Sequence, residues 1–174
     1  MPKPPLWAPW RIDYILSTKS DGCFLCDGAL DSAGEEELVV WTGRTAFVLL
    51  NRHPYAPGHL MVSPRQHVGE LDAVEDEVLV ECARLVQLST RVLAETMEPD
   101  GFNVGLNLGA AAGAGVPGHL HWHVVPRWEA DTNFMPLLAD VRVIPEHLRA
   151  TWRRLAAMFE GAAAAAGLEV QESG

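Results

Sequence analysis

Apolar and polar residues follow one another along this chain in patterns that predict five strands and two helices. Val39-Val40-Trp41 and Ala46-Phe47-Val48-Leu49-Leu50 are runs of β-forming residues on either side of Thr42-Gly43-Arg44-Thr45, which predicts a hairpin. His59-Leu60-Met61-Val62-Ser63 predicts a third strand, and Asn103-Val104-Gly105-Leu106-Asn107-Leu108 alternates as a fourth. In His119-Leu120-His121-Trp122-His123-Val124-Val125, histidines alternate with apolar residues, so a strand here carries all three imidazoles on one face. Between residues 70 and 98 the period changes: Val74, Val78, Cys82, Leu85, Ser89 and Val92 recur at helical steps, with Glu75, Asp76, Glu77, Glu81, Arg84 and Arg91 toward the polar side. Acidic residues at its amino end complement the helix dipole, and Cys82 falls on the core stripe. A second helix is expected over His147 to Glu160, through Leu148, Trp152, Leu155 and Phe159.

The connections are equally legible. Asn51 to Gly58 holds two prolines and a glycine and must turn, with His53 as a surface residue of that turn. Asp27 to Glu37 reads as a solvated loop, Gly109 to Gly118 as a small-residue loop, and Trp128 to Pro145 as an irregular loop near a site mouth. Residues 1–20 mix Pro and Trp with Arg11, Asp13 and Tyr14, an extended arm expected to pack on the domain or on a second subunit. Residues 21–160 form a single domain, and 161–174, an alanine run followed by a polar end, are expected to fray. A chain of 174 residues suits one core.

Composition narrows the function. A net charge of −10 argues against binding duplex nucleic acid through phosphate neutralisation, although a small anion needs only local donors. No apolar run approaches the ~20 residues that cross a bilayer. The start, Met1 to Arg11, is broken by prolines and lacks a signal-peptide core, so a cytoplasmic protein is expected. Three cysteines, Cys23, Cys26 and Cys82, form no disulfide framework and suit a reducing compartment.

The candidate chemistry lies in three places. Same-face residues on a strand are about 7 Å apart, so neighbouring imidazoles can meet one ligand or relay a hydrogen bond. Close like charges oppose one another, which keeps at least one ring neutral and nucleophilic. The plainer alternatives are a half-buried strand that happens to carry histidines, or a metal-binding strand of the cupin or carbonic anhydrase kind. Cys23-Phe24-Leu25-Cys26 can offer two thiolates to a tetrahedral ion, which would need two further ligands. The Gly109 to Gly118 loop lets backbone N–H groups approach a phosphate.

The stretch from Gly118 to Arg127 resembles the signature of the histidine triad superfamily, His-apolar-His-apolar-His-apolar-apolar, at all seven positions. Trp7 to Ile15 and Asp131 to Pro136 are similar to segments of a bacterial branch that includes diadenosine tetraphosphate phosphorylases. The resemblance covers roughly residues 7–147. It implies an α+β histidine triad fold: an antiparallel sheet of about five strands with one long and one C-terminal helix. It implies that His121 attacks the α-phosphorus of a nucleotide, assisted by His123. Asn51 would contact the ribose, an amide offering donor and acceptor to vicinal hydroxyls, unless it merely forms the turn. His59 would line the site, with Asn107, Gly115 and Val116 beside the phosphates.

Zinc-containing relatives imply a structural zinc site of Cys23, Cys26, His67 and His119. A homodimer with a continuous sheet and a small nucleotide substrate are also implied. One departure stands out: Gly113-Ala114-Gly115-Val116 replaces the Gly-Gln-Ser/Thr-Val of well-known branches. Backbone donors must then serve the phosphates, and phosphoramidate hydrolysis becomes a poorer fit. Two other classes stay open: a nucleotide-binding regulator with little turnover, and a catalytic metal held by the three histidines.

Overall fold

The computed structural model describes residues 22–30, 34–129, 131 and 146–168. The expected arm at 1–20, most of the 128–145 loop and the end from 169 lie outside the described residues. Eight elements follow in chain order: α1 (Phe24–Gly28), β1 (Val39–Thr42), β2 (Ala46–Leu50), β3 (Leu60–Pro64), α2 (Asp76–Met97), β4 (Gly101–Leu106), β5 (Trp122–Arg127) and α3 (Leu148–Ala165). The strands form one sheet in the order β1-β2-β3-β5-β4, every neighbouring pair antiparallel. With helices packed on it, the sheet makes an α+β fold.

The sheet's two faces are read from its alternation. Val48, Leu50, Leu60, Val62 and Val124 turn to one face and join Cys82, Leu85, Val92 of α2 and Leu155, Phe159 of α3 in the main core. The residues between them, Phe47, Leu49 and Met61, turn to the other face and meet Leu25 and Ala29 around α1 in a smaller core. Because Met61 pairs with His123 in the ladder, the histidine belongs to this second face, away from the long helices.

α2 begins at Asp76, later than the periodicity suggests, because Leu71–Ala73 forms a separate 3-10 turn and Val74 and Glu75 are extended. Cys82 is fully buried, as its place on the apolar stripe predicts, and burial pushes its thiol up to about 12. α3 corrects a boundary: it continues through Gly161 to Ala165 instead of fraying at 160. Ala163 is 1% exposed in the main core, which extends the apolar stripe one turn further. This helix is fixed to the sheet by the Trp152 indole, which donates to the Val39 carbonyl at 2.7 Å, and to the preceding loop by Arg153 and Glu35 at 2.9 Å.

Candidate active site

The triad segment is not one strand. β5 starts at Trp122, so His119 and His121 precede it. The reason lies in the partner strand: the ladder ends at Val62 opposite Trp122, and the next residues of β3 are Ser63 and Pro64. A proline has no N–H to continue a ladder. Other bonds take over, from the Ser63 hydroxyl to the Leu120 carbonyl at 2.8 Å and from the Leu120 N–H to the Val68 carbonyl at 2.8 Å.

Leaving the ladder sets His119 apart from the other two imidazoles. His119 is 1% exposed and packs edge-on to His67, with ring centroids 5.1 Å apart. Its Nε2 donates to the Pro64 carbonyl at 2.9 Å, which leaves Nδ1 with the lone pair, 3.3 Å from Cys23 Sγ and 3.6 Å from Cys26 Sγ. His67 Nδ1 lies 3.2 Å from Cys26 Sγ. One ligand atom from each of Cys23, Cys26, His67 and His119 lies within 4.8 Å of the other three, the geometry of a site that could hold a metal ion. A carbonyl that fixes the outer nitrogen of an imidazole is the usual support of a metal-binding histidine. Burial, then the neighbouring Cys23, raises the Cys26 thiol, while burial lowers His119.

Cys23 caps α1, a one-turn helix whose last residues, Asp27 and Gly28, fall in the expected loop, and Cys26 follows one turn later on the same side. Gly69 lets the His67 segment approach the triad: a Cβ there would meet the Pro117 carbonyl oxygen at 2.8 Å. Among the described residues this is the one cluster of such geometry, and it excludes His121 and His123.

His121 has the opposite arrangement to His119. Its Nδ1 donates to the His119 carbonyl at 2.8 Å, so the lone pair sits on Nε2. The ring is 6% exposed and meets His123 edge-on, centroids 5.0 Å apart. His123 is pushed down to about 4, first by burial and then by the proximity of His121, so it is neutral at pH 7. Gly105 lies opposite His123 in the ladder, and nothing stands within 4 Å of where its Cβ would be. No side chain from β4 therefore fills the space beside His123.

His59 lies behind His123 in a chain of hydrogen bonds. It is fully buried, with Nε2 3.0 Å from His123 Nδ1 and Nδ1 accepting from the Tyr55 N–H at 3.1 Å. Asn51 closes its own turn, its Oδ1 accepting from the His53 N–H at 2.8 Å and its Nδ2 lying 3.3 Å from His59 Nδ1. Asn107, just past β4, reaches His123 Nε2 at 3.5 Å.

In the glycine loop, the N–H groups of Ala112, Gly113 and Ala114 bond back to Gly109 and Ala110 carbonyls, which removes them as phosphate donors. Gly115 is exposed with open space around its Cα, while Val116 is half-buried against the smaller core. Tyr55, an aromatic within the Asn51 to Gly58 turn, has its ring against His59 and His123, at 4.7 and 5.7 Å. Nothing in a pattern of alternation signals such a contact.

Similarity to known proteins agrees with this geometry. A family model described as HIT domain matches residues 34–130. An AP-4-A phosphorylase of Mycobacterium tuberculosis is 42% identical over 87% of this chain and 82% of its own length. The asymmetrical bis(5'-nucleosyl)-tetraphosphatase of Schizosaccharomyces pombe is 29% identical over 53% of this chain and 50% of its own. Among solved structures, a zinc-bound histidine triad family protein from Mycobacterium smegmatis superposes with a TM-score of 0.65 at 27% identity, covering 83% of this chain and 97% of that one. The chain belongs to the HIT domain family, the histidine triad proteins.

Proposed function

We propose that this protein cleaves dinucleoside polyphosphates of the diadenosine tetraphosphate type at the α-phosphorus by covalent nucleotidyl transfer to His121. The observation that carries the reading is the tautomer of His121: with Nδ1–H committed to the His119 carbonyl, Nε2 presents its lone pair. The 42% identical phosphorylase supports the substrate class.

His121 Nε2 attacks the α-phosphorus in line, a P–N bond forms, and the bond from that phosphorus to the bridging oxygen breaks. The electron pair leaves with ATP. His123, neutral and in contact with His121, donates an N–H to a phosphoryl oxygen as charge builds there. Phosphate or water then attacks the adenylyl group, the P–N bond breaks back to His121, and ADP or AMP departs with release of a proton from the acceptor. Splitting one displacement into two lowers each barrier.

Zinc is the ion we assign to the Cys23, Cys26, His67, His119 cluster, because two thiolates and two imidazoles suit its tetrahedral preference. These residues would pin α1 and the segment after β3 to the start of the triad, a structural contribution. We assign a second copy of the chain as partner along β4, an edge of the sheet whose Asn103, Val104 and Gly105 are exposed. Among the described residues no helix is long and apolar enough to cross a membrane. The free cysteines fit our assignment to the reducing cytoplasm.

Purified protein incubated with diadenosine tetraphosphate, with and without inorganic phosphate, tests the reading. ADP plus ATP formed only with phosphate identifies a phosphorylase, and AMP plus ATP without it a hydrolase. Bound nucleotide with no turnover in either condition contradicts both and favours a regulator.

A further inference from the structure

We propose that Tyr55 is a positioning residue for the transfer step, holding the His59–His123 pair so that His123 presents an Nε2–H to the phosphoryl oxygens. This rests on the nucleotidyl transfer proposed above and deepens it by naming what orients the second catalytic histidine.

The argument starts from a backbone group. A main-chain N–H can only donate, and that of Tyr55 points at His59 Nδ1 from 3.1 Å. Nδ1 of His59 therefore carries the lone pair and its proton sits on Nε2. That proton points at His123 Nδ1, 3.0 Å away, which must accept. The proton of neutral His123 is then on Nε2, the nitrogen facing the Asn107 amide at 3.5 Å. The Asn107 atom that faces it is the amide nitrogen Nδ2, and the flip that exchanges amide oxygen and nitrogen would let Asn107 accept from this donor. The opposite tautomer of His59 would set the Tyr55 N–H against a second donor at Nδ1.

The ring of Tyr55 adds a second restraint. Its centroid lies 4.7 Å from that of His59 and 5.7 Å from that of His123, tilted 35° and 31°, while the two imidazoles are 5.1 Å apart. One phenol ring thus lies against both imidazoles, covering the side from which water would compete for the bond between them. The turn that carries Tyr55 is fixed independently. The Asn51 N–H donates to the His59 carbonyl at 2.9 Å, and Gly58 has φ +74° and lies so close to α2 that a Cβ would meet Met97 Sδ at 2.5 Å. Tyr55 belongs to neither core cluster and is 48% exposed, so its ring is not part of what holds the two cores together.

The test combines kinetics and spectroscopy on the full chain. With diadenosine tetraphosphate, Tyr55→Ala is expected to lower kcat by ~10-fold or more with KM within ~2-fold, because a misplaced donor is lost mainly from the transition state. Tyr55→Phe is expected to behave as the unaltered protein. Imidazole nitrogen NMR of the unaltered protein should show His123 protonated on Nε2 and His59 on Nε2, and Tyr55→Ala should average the His123 pattern. Unchanged kcat in Tyr55→Ala, a rise in KM alone, or equal loss in Tyr55→Phe would overturn the proposal. So would a His123 protonated on Nδ1. If the unaltered protein shows no turnover, the functional reading fails, while the NMR signals still decide whether Tyr55 holds the pair.

Discussion

His119 and His121 are two residues apart, both buried, and each gives one ring nitrogen to a backbone carbonyl, yet their chemistry is opposite. His119 gives Nε2 to the Pro64 carbonyl and turns Nδ1 to two thiols. His121 gives Nδ1 to the His119 carbonyl and keeps Nε2 for an electrophile. In the function proposed here, the carbonyl that captures each ring decides whether the imidazole serves as a ligand or as a nucleophile. The same carbonyl logic links the two, since the oxygen that orients His121 belongs to the residue that the metal cluster would hold still.

That contrast can be broken from either side. Replacing His121 by Ala should reduce turnover by at least ~10³-fold while nucleotide still binds, since a covalent step has no substitute in the site. Steady-state rates and equilibrium titration of the same preparation check it. On the other side, the Cys23→Ala, Cys26→Ala double variant should lose bound zinc and melt several degrees lower, because metal binding contributes to folding. Metal analysis and a thermal melt measure this, and zinc retained by that variant but lost with His121 would reverse the two roles.

Gly69→Ala should act more gently: its Cβ would press on the Pro117 carbonyl oxygen at 2.8 Å and push the His67 segment outward. A stability loss of about 1–3 kcal/mol is expected, with weaker zinc retention against a chelator.

The smallest effect comes from pH. His123 falls from an ordinary 6.5 to about 4, so between these values the unfolded chain holds a proton that the folded chain refuses. Its contribution to stability is full above pH 6.5 and is lost as pH falls toward 4, with no further change below. The whole shift corresponds to about 3 kcal/mol, which solvent screening at a half-buried ring reduces to about 1–2. Urea unfolding across that window should show the slope, and His123→Gln should flatten it.

Much of this architecture was legible before any coordinates. Five strands and two helices follow from periodicity, and the strand bounds move by up to three residues because alternation marks faces better than ends. The residues of the metal cluster were nameable only through a family resemblance, as their separation from Cys23 to His119 carries no local signal. The break in the triad strand was hidden, although its cause, Pro64 in the neighbouring strand, is a single residue whose effect depends on register. Equally hidden were the inward-turned amides of the glycine loop and the burial of His59, because both depend on which group a donor meets in three dimensions.

The central claim is that His121 carries the nucleotide. It is tested most directly by mixing excess protein with diadenosine tetraphosphate, quenching within one turnover and mapping the modified peptide by mass spectrometry. The account predicts one adenylyl group on His121, acid-labile as a P–N bond is, and absent from His121→Ala. An adenylyl group on another residue, or products formed at the normal rate without any modified peptide, would contradict it.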